Sequence, residues 1–210
     1  MTVIKLCGLM SLEDIDTVNT LAPEMAGFVF APLSKRALSH AQAAEMKARL
    51  DPGIQAVGVF RGNTLEEILA LVDAKTIDAV QLHGDFPAES ELVRALAARQ
   101  IPYIRAVNLT GEETAEALFR LTADADMVLL DAAEPGSGVP AALAGTALPR
   151  TGKPLILAGG LTPGNVAGMI ARYAPDGVDV SSGIESGGRK DPQKMQDFVR
   201  CVRQQSLQTR

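Results

Sequence analysis

The sequence predicts an α/β fold, a single compact (β/α)8 barrel of the TIM-barrel type, with residues 1–210 forming one domain. Three observations predict it. Eight short apolar runs recur roughly every 25 residues, β-branched and nearly continuous rather than alternating, as strands buried on both faces must be. The segments between them are polar–apolar with helical spacing, and several begin at a capping residue. The turn after the first run, Cys7-Gly8-Leu9-Met10, lacks the G-x-G-x-x-G pattern that an open doubly wound sheet typically carries there. Alternating strands and helices call for a parallel sheet, and eight such units closing on themselves make a barrel. At 210 residues it is compact against the usual size of about 250.

In chain order, the expected strands are VIKLC (3–7), GFVF (27–30), AVGVF (56–60), DAVQL (78–82), IPYIRAV (101–107), MVLLD (127–131), PLILAGG (154–160) and GVDVSSG (177–183). The first helix follows Ser11, with Glu13 and Asp14 in its first turn. The second follows Ser39, and the third follows Thr64, again with acids at the start. The fourth lies within 87–99, and the fifth follows Thr110. The sixth unit holds the poorest helix, near 141–148 in PGSGVPAALAGTALPR. Thr162-Pro163 opens the seventh, with Pro at the first helical position. Asp191-Pro192 opens the last, which runs to about Gln204 and carries Cys201.

Composition narrows the function. Apolar residues make up 47% and charged residues 21%, which excludes wholesale disorder. Aromatics are only 4%, with no Trp, too few for stacking platforms on single-stranded nucleic acid. A net charge of −5 argues against nucleic acid and anionic membranes as partners. An anionic small molecule remains compatible, given locally placed cations and backbone amides. Cys7 and Cys201 lie at opposite ends of the chain, which is neither a disulfide framework nor a metal cluster. The start, MTVIKLCGLM, shows no signal-peptide pattern, and no apolar run is long enough to span a bilayer. A cytoplasmic protein is expected, as a monomer or a homodimer. His40 and His83 are the two histidines, and no cluster has metal-ligand spacing, so no metal and no cofactor is expected. A Schiff-base aldolase would need a Lys at a strand end, whereas Lys5 lies inside the first strand.

A barrel places its chemistry at the C-terminal ends of the strands. Those ends carry Cys7, the Ser34-Lys35-Arg36 loop, His83, Asp131, Asp179 and two Gly-rich turns. Each has a plain structural reading as well. A Cys in an apolar strand is ordinarily a small core hydrophobe, an Asp ending a strand often caps the next turn, and Arg36 beside Lys35 suits a solvated loop. The turns Ala158-Gly159-Gly160-Leu161 and Ser181-Ser182-Gly183-Ile184-Glu185 carry more weight. The loops after strands 7 and 8 frequently bind phosphate, and glycines there let the backbone approach its oxygens.

These residues together resemble the phosphoribosylanthranilate isomerase family of tryptophan biosynthesis. The likeness rests on IKLCGL (4–9), GFVF with SKRALS (34–39), VGVF (57–60), DAVQLHG (78–84), LLD (129–131), LAGGLTPGNV (157–166) and GVDVSSGIESGGRKD (177–191), in the right order across almost the whole chain. It implies a cofactor-free Amadori rearrangement on a phosphorylated small molecule. An acid protonates the furanose ring oxygen, and a base removes the C2′ proton of the resulting Schiff base. The resemblance implies that Cys7 is the base, Asp131 the acid, and Arg36 the partner of the anthranilate carboxylate. It further implies that Asp179 lies near the amino group, that Gly160, Ser182 and Gly183 bind phosphate, and that His83 supports the mouth. The base must lose its proton, so cationic or dipolar surroundings should lower the thiol pKa; the acid must keep its own, so desolvation should raise that of Asp131. One segment departs from the family pattern. Asp131 is followed by AAEPGSGVPAALAG, in which Gly136-Ser137-Gly138 is the remnant of a Gly-rich run and the aromatic-Asp-Trp sequence is missing. That change bears on loop closure and substrate range. It leaves a related sugar-phosphate isomerase with a shifted substrate as the alternative, with a non-catalytic phosphate-binding barrel ranked after it.

Overall fold

The computed structural model describes residues 1–108, 115–131 and 152–208. Eight parallel strands close into a barrel in sequence order: β1 (Val3–Cys7), β2 (Met25–Val29), β3 (Gln55–Phe60), β4 (Ala79–His83), β5 (Tyr103–Asn108), β6 (Met127–Asp131), β7 (Leu155–Ala158) and β8 (Gly177–Val180). The last strand pairs with the first, Lys5 standing opposite Asp179 and Leu6 opposite Val180. The helices are α1 (Leu12–Leu21), α2 (His40–Arg49), α3 (Leu65–Asp73), α4 (Glu89–Ala98), α5 (Ala115–Leu121), α6 (Val166–Tyr173) and α7 (Pro192–Gln208). A 3-10 turn (Ser182–Ile184) and a small antiparallel hairpin, β9 (Glu185–Ser186) with β10 (Arg189–Lys190), follow β8. The predicted helix near 141–148, the Gly136-Ser137-Gly138 remnant and the start of the fifth helix at Thr110 fall outside the described residues. No helix among the described residues is long and apolar enough to cross a membrane.

The capping predictions hold at three helices. Ser11 with Asp14, Ser39 with Gln42 and Thr64 with Glu67 each form a reciprocal capping box, satisfying amides that the first turn leaves unpaired. Asp191 accepts from the amides of Gln193 and Lys194 at the start of α7. The seventh unit starts later than predicted. Asn165, not Thr162, is the last residue before α6, and Pro163 lies in the preceding turn. The Asn165 side chain accepts from the Thr162 amide (2.8 Å) and donates to the Gly160 carbonyl (2.9 Å), so a side chain–backbone turn replaces the expected first helical turn.

Strand pleating divides the core in two. Outward residues such as Leu6, Phe28, Phe60, Leu82 and Val180 pack under the helices, meeting Ile15, Val18, Ile68, Leu71 and Phe198. Inward residues Met25, Val57, Ala79, Ile104, Leu129 and Ile156 fill the barrel axis. The inward positions are not all apolar, and Lys5 carries a charge. Lys5 is fully buried, and its Nζ donates to Asp179 Oδ1 at 2.8 Å. A buried charge is tolerated only when it is paired, and removing one partner strands the other. Lys5→Met should therefore destabilise the protein by about 3–5 kcal/mol in urea unfolding, while Lys5→Met with Asp179→Leu should recover most of the loss. A single variant as stable as the parent would show that the pair is not what holds this layer.

Candidate active site

The alternation that puts Lys5 on the axis also puts Cys7 there, two residues on and at the mouth. Cys7 is 6% exposed and packs against Val29 and Val59. It fits because the residue opposite on β2 is Gly27; a Cβ there would stand 2.7 Å from Cys7 Sγ and 2.9 Å from its Cα. By the same alternation Asp131 follows Met127 and Leu129 on the inward face of β6, at the C-terminal end of its strand. It is paired in register with Asn108 and Ala158. Cys7 and Asp131 thus face one mouth from separate sides of the barrel.

The electrostatics of the mouth depart from the sequence expectation at Cys7. Burial pushes the thiol above its ordinary value; Lys5 opposes this and Asp179 adds to it. Burial also works against the Lys5 charge, but Asp179 and Cys7 outweigh it, and the lysine pKa is raised. The cation foreseen near the thiol is therefore present, and desolvation is the larger effect. His83 is pushed down to about 4, first by burial and then by Lys5, so its ring is neutral at pH 7. It stands 2.7 Å from the Gln81 side-chain amide nitrogen through Nε2.

Arg36 leaves the β2–α2 loop and crosses to the far end of β8. Its Nε and Nη2 donate to the two carboxylate oxygens of Glu185 at 2.6 and 2.9 Å. Lys190 Nζ donates to the same carboxylate at 2.9 Å and to the Ser181 carbonyl at 2.9 Å. The Arg36 stem passes directly over Gly8, which has φ +74° and whose added Cβ would lie 2.5 Å from Arg36 Cδ. Glu185 is drawn down to about 2: burial opposes its ionisation, and Arg36 and Lys190 overcome that.

The two Gly-rich turns lie together. Gly160, with φ +62°, ends the β7 turn, and Ser182 and Gly183 open the 3-10 turn after β8. The two loops touch: a Cβ on Gly183 would fall 1.8 Å from the Leu161 carbonyl oxygen. All eight predicted site residues lie at the C-terminal end of the barrel. Asp179 is already committed through one oxygen to Lys5, which the sequence reading had treated only as an interior strand residue. Lys5 and Lys190 are the participants that reading missed, and Glu185 stood in it only as the end of a Gly-rich turn, not as the partner of Arg36. A lysine inside an apolar strand, on the same face as Cys7, was the available signal, since buried lysines are paired almost without exception.

The chain matches the family model described as N-(5'-phosphoribosyl)anthranilate (PRA) isomerase over residues 4–201. It is 39% identical over 209 residues to the N-(5'-phosphoribosyl)anthranilate isomerase of Lactiplantibacillus plantarum, covering 100% of this chain and 96% of that one. The crystal structure of phosphoribosyl anthranilate isomerase from Thermotoga maritima superposes with a TM-score of 0.85 at 34% identity, covering 97% of this chain and 100% of that one. A crystal structure of such an isomerase in complex with reduced 1-(o-carboxyphenylamino)-1-deoxyribulose 5-phosphate superposes with a TM-score of 0.81 at 34% identity, covering 97% of this chain and 100% of that one. The barrel, its mouth and these relatives agree, and the chain belongs to the N-(5'-phosphoribosyl)anthranilate isomerase family.

Proposed function

We propose that Cys7 and Asp131 are the general base and general acid of an isomerase that converts N-(5-phosphoribosyl)anthranilate to 1-(2-carboxyphenylamino)-1-deoxyribulose 5-phosphate in tryptophan biosynthesis. The observation that carries this reading is the meeting of a thiol, a carboxyl group, a guanidinium and a pair of Gly-rich loops around one barrel mouth. Both ends of the substrate are anionic, so the site needs two anion-binding regions flanking an acid–base pair. The ligand held by the solved relative has the same layout, an aryl carboxylate at one end and a phosphate at the other.

In the proposed reaction Asp131 gives its proton to the furanose ring oxygen, and the C1′–O bond breaks as the nitrogen lone pair forms a Schiff base. Cys7 thiolate then removes the C2′ proton, and the C–H electrons move to neutralise the iminium nitrogen. The enolamine tautomerises to the ketone, with no net gain or loss of atoms. Lys5 offsets the burial of Cys7: an ammonium on the same strand face favours the thiolate that apolar burial disfavours. Asp179 spends Oδ1 on Lys5, and its Oδ2, with no partner among the described residues, is offered to the substrate's amino group. Arg36 takes the aryl carboxylate, and Gly160, Ser182 and Gly183 take the phosphate.

Every one of these residues comes from a single chain, so a monomer and a homodimer would each carry complete sites. Two free, widely separated cysteines suit a cytoplasmic enzyme. The reading gives the substrate and the chemistry to this chain's own side chains and assigns no cofactor to any step.

The decisive assay follows the fluorescence of phosphoribosylanthranilate made in situ from anthranilate. Cys7→Ser and Asp131→Asn should each lower kcat by at least about a hundredfold with unchanged circular dichroism, the scale at which general acid–base groups contribute. A near-parental rate in either variant removes that residue from its role. Arg36→Ala should raise KM far more than it lowers kcat, and an unchanged KM would contradict the carboxylate contact. In a Cys201→Ser background, alkylation of Cys7 by iodoacetamide should reach half its limiting rate above about pH 8.5, the ordinary thiol value, because burial raises the free enzyme's thiol. A midpoint below that value would mean that Lys5 outweighs desolvation.

A further inference from the structure

The interaction that holds Arg36 is more elaborate than a surface ion pair. The guanidinium has five N–H groups in one plane. Glu185 occupies the Nε–Nη2 edge in bidentate fashion, at 2.6 and 2.9 Å. The opposite edge, Nη1 with the second Nη2 hydrogen, has no hydrogen-bond partner among the described residues. Glu185 and Lys190 are buried, with side chains 6% and 0% exposed, whereas the Arg36 side chain keeps 18%, so the guanidinium is the part of the network that a ligand can reach. The absence of a Cβ at Gly8 lets the Arg36 stem lie flat across β1 and reach Glu185.

The charges give this geometry a purpose. A lone carboxylate bound to Arg36 would cancel its charge and leave little attraction for a substrate anion. Lys190 supplies a second cation on Glu185 Oε1, at 2.9 Å. Two cations and one carboxylate leave a net positive site, and the positive member nearest solvent is the free edge of Arg36. Lys190 is in turn fixed by the Ser181 carbonyl at 2.9 Å, so the whole network is anchored to the end of β8.

We infer that Glu185 is a positioning residue, with Lys190 as its counter-charge: it fixes the guanidinium of Arg36 so that its free edge meets the aryl carboxylate of the substrate. The inference rests on the assignment of Arg36 to that carboxylate. A planar fork held in place loses less freedom on binding than one that must be ordered by the ligand, and bidentate contact depends on the angle at which the fork is presented. Glu185 acts through Arg36 and touches no reacting atom, so its loss should weaken recognition of the carboxylate and spare the chemical step.

The test compares two ligands on two proteins by calorimetry. One ligand is reduced 1-(2-carboxyphenylamino)-1-deoxyribulose 5-phosphate, and the other is the same molecule without its aryl carboxylate. In the parent the carboxylate should contribute about ten- to a hundredfold in affinity, the scale of hydrogen bonds to charged groups. In Glu185→Gln that ratio should fall to roughly threefold or less, about 0.7 kcal/mol, while affinity for the decarboxylated ligand stays near parental. In the activity assay KM should rise about three- to thirtyfold, with kcat within about twofold. Glu185→Asp keeps the charge but withdraws it by one methylene. It should give an intermediate ratio, and it carries the comparison if the Gln variant fails to fold. If the parent does not distinguish the two ligands, the assignment of Arg36 fails and the inference falls with it. If the parent distinguishes them and the Glu185 variants do so equally well, Arg36 keeps its assignment and the positioning role of Glu185 is overturned.

Discussion

The register in which β8 closes onto β1 governs the rest of this molecule. Lys5 stands directly opposite Asp179 in that ladder, and both side chains point to the barrel axis. A slip of one residue would set Lys5 against Val178 or Val180 and turn one strand's inward side chains outward. The pair therefore does more than neutralise two buried charges. It marks the register at which the barrel closes, and that register decides which side chains of β1 and β8 reach the mouth. Below it the axis is filled by apolar side chains from the other strands; above it sit Cys7 and the loops.

The same pair sets the electrostatic character of the mouth. Apolar surroundings favour the neutral form of every group they enclose, and the effect is visible in a raised Cys7 thiol and a His83 pushed down to about 4. Lys5 opposes the first and reinforces the second. It remains an ammonium because Asp179 holds it so. A strand-borne cation thus works on the thiol and the imidazole in the direction a thiolate base beside a neutral wall would need. At the rim the balance is reversed: Glu185 stays ionised at about 2 because two cations overcome its burial.

Close approach is the second constraint, and three glycines meet it. Gly27 leaves the volume that Cys7 fills, Gly8 clears the path of Arg36, and Gly183 lets the loops after β7 and β8 touch. In each case an added Cβ would fall within 3 Å of another atom. Glycine at these positions serves the shape of the site, and only Gly8 also uses the left-handed backbone region that glycine tolerates.

Local patterns were enough to read the architecture. Continuous β-branched runs separated by capped amphipathic segments report on period and burial, which are properties of neighbouring residues, and the strand ends they defined located Cys7, Asp131 and Asp179. The shift of the seventh helix start from Thr162 to Asn165 shows the limit: two side-chain hydrogen bonds of Asn165 decided between competing turns. The motif set also carried the family. What no local pattern contained was which charges would meet. Lys5 and Asp179 are 174 residues apart, and Arg36 and Glu185 are 149 apart. Their pairing follows from barrel closure and from space left by glycines on other strands. The direction of the Cys7 shift likewise depended on burial by Val29 and Val59 from two further strands. Sequence alone determined the fold and the residues that line its mouth, because both follow from spacing along the chain. Only the tertiary structure decided their charge states and partners, because those depend on distances through space.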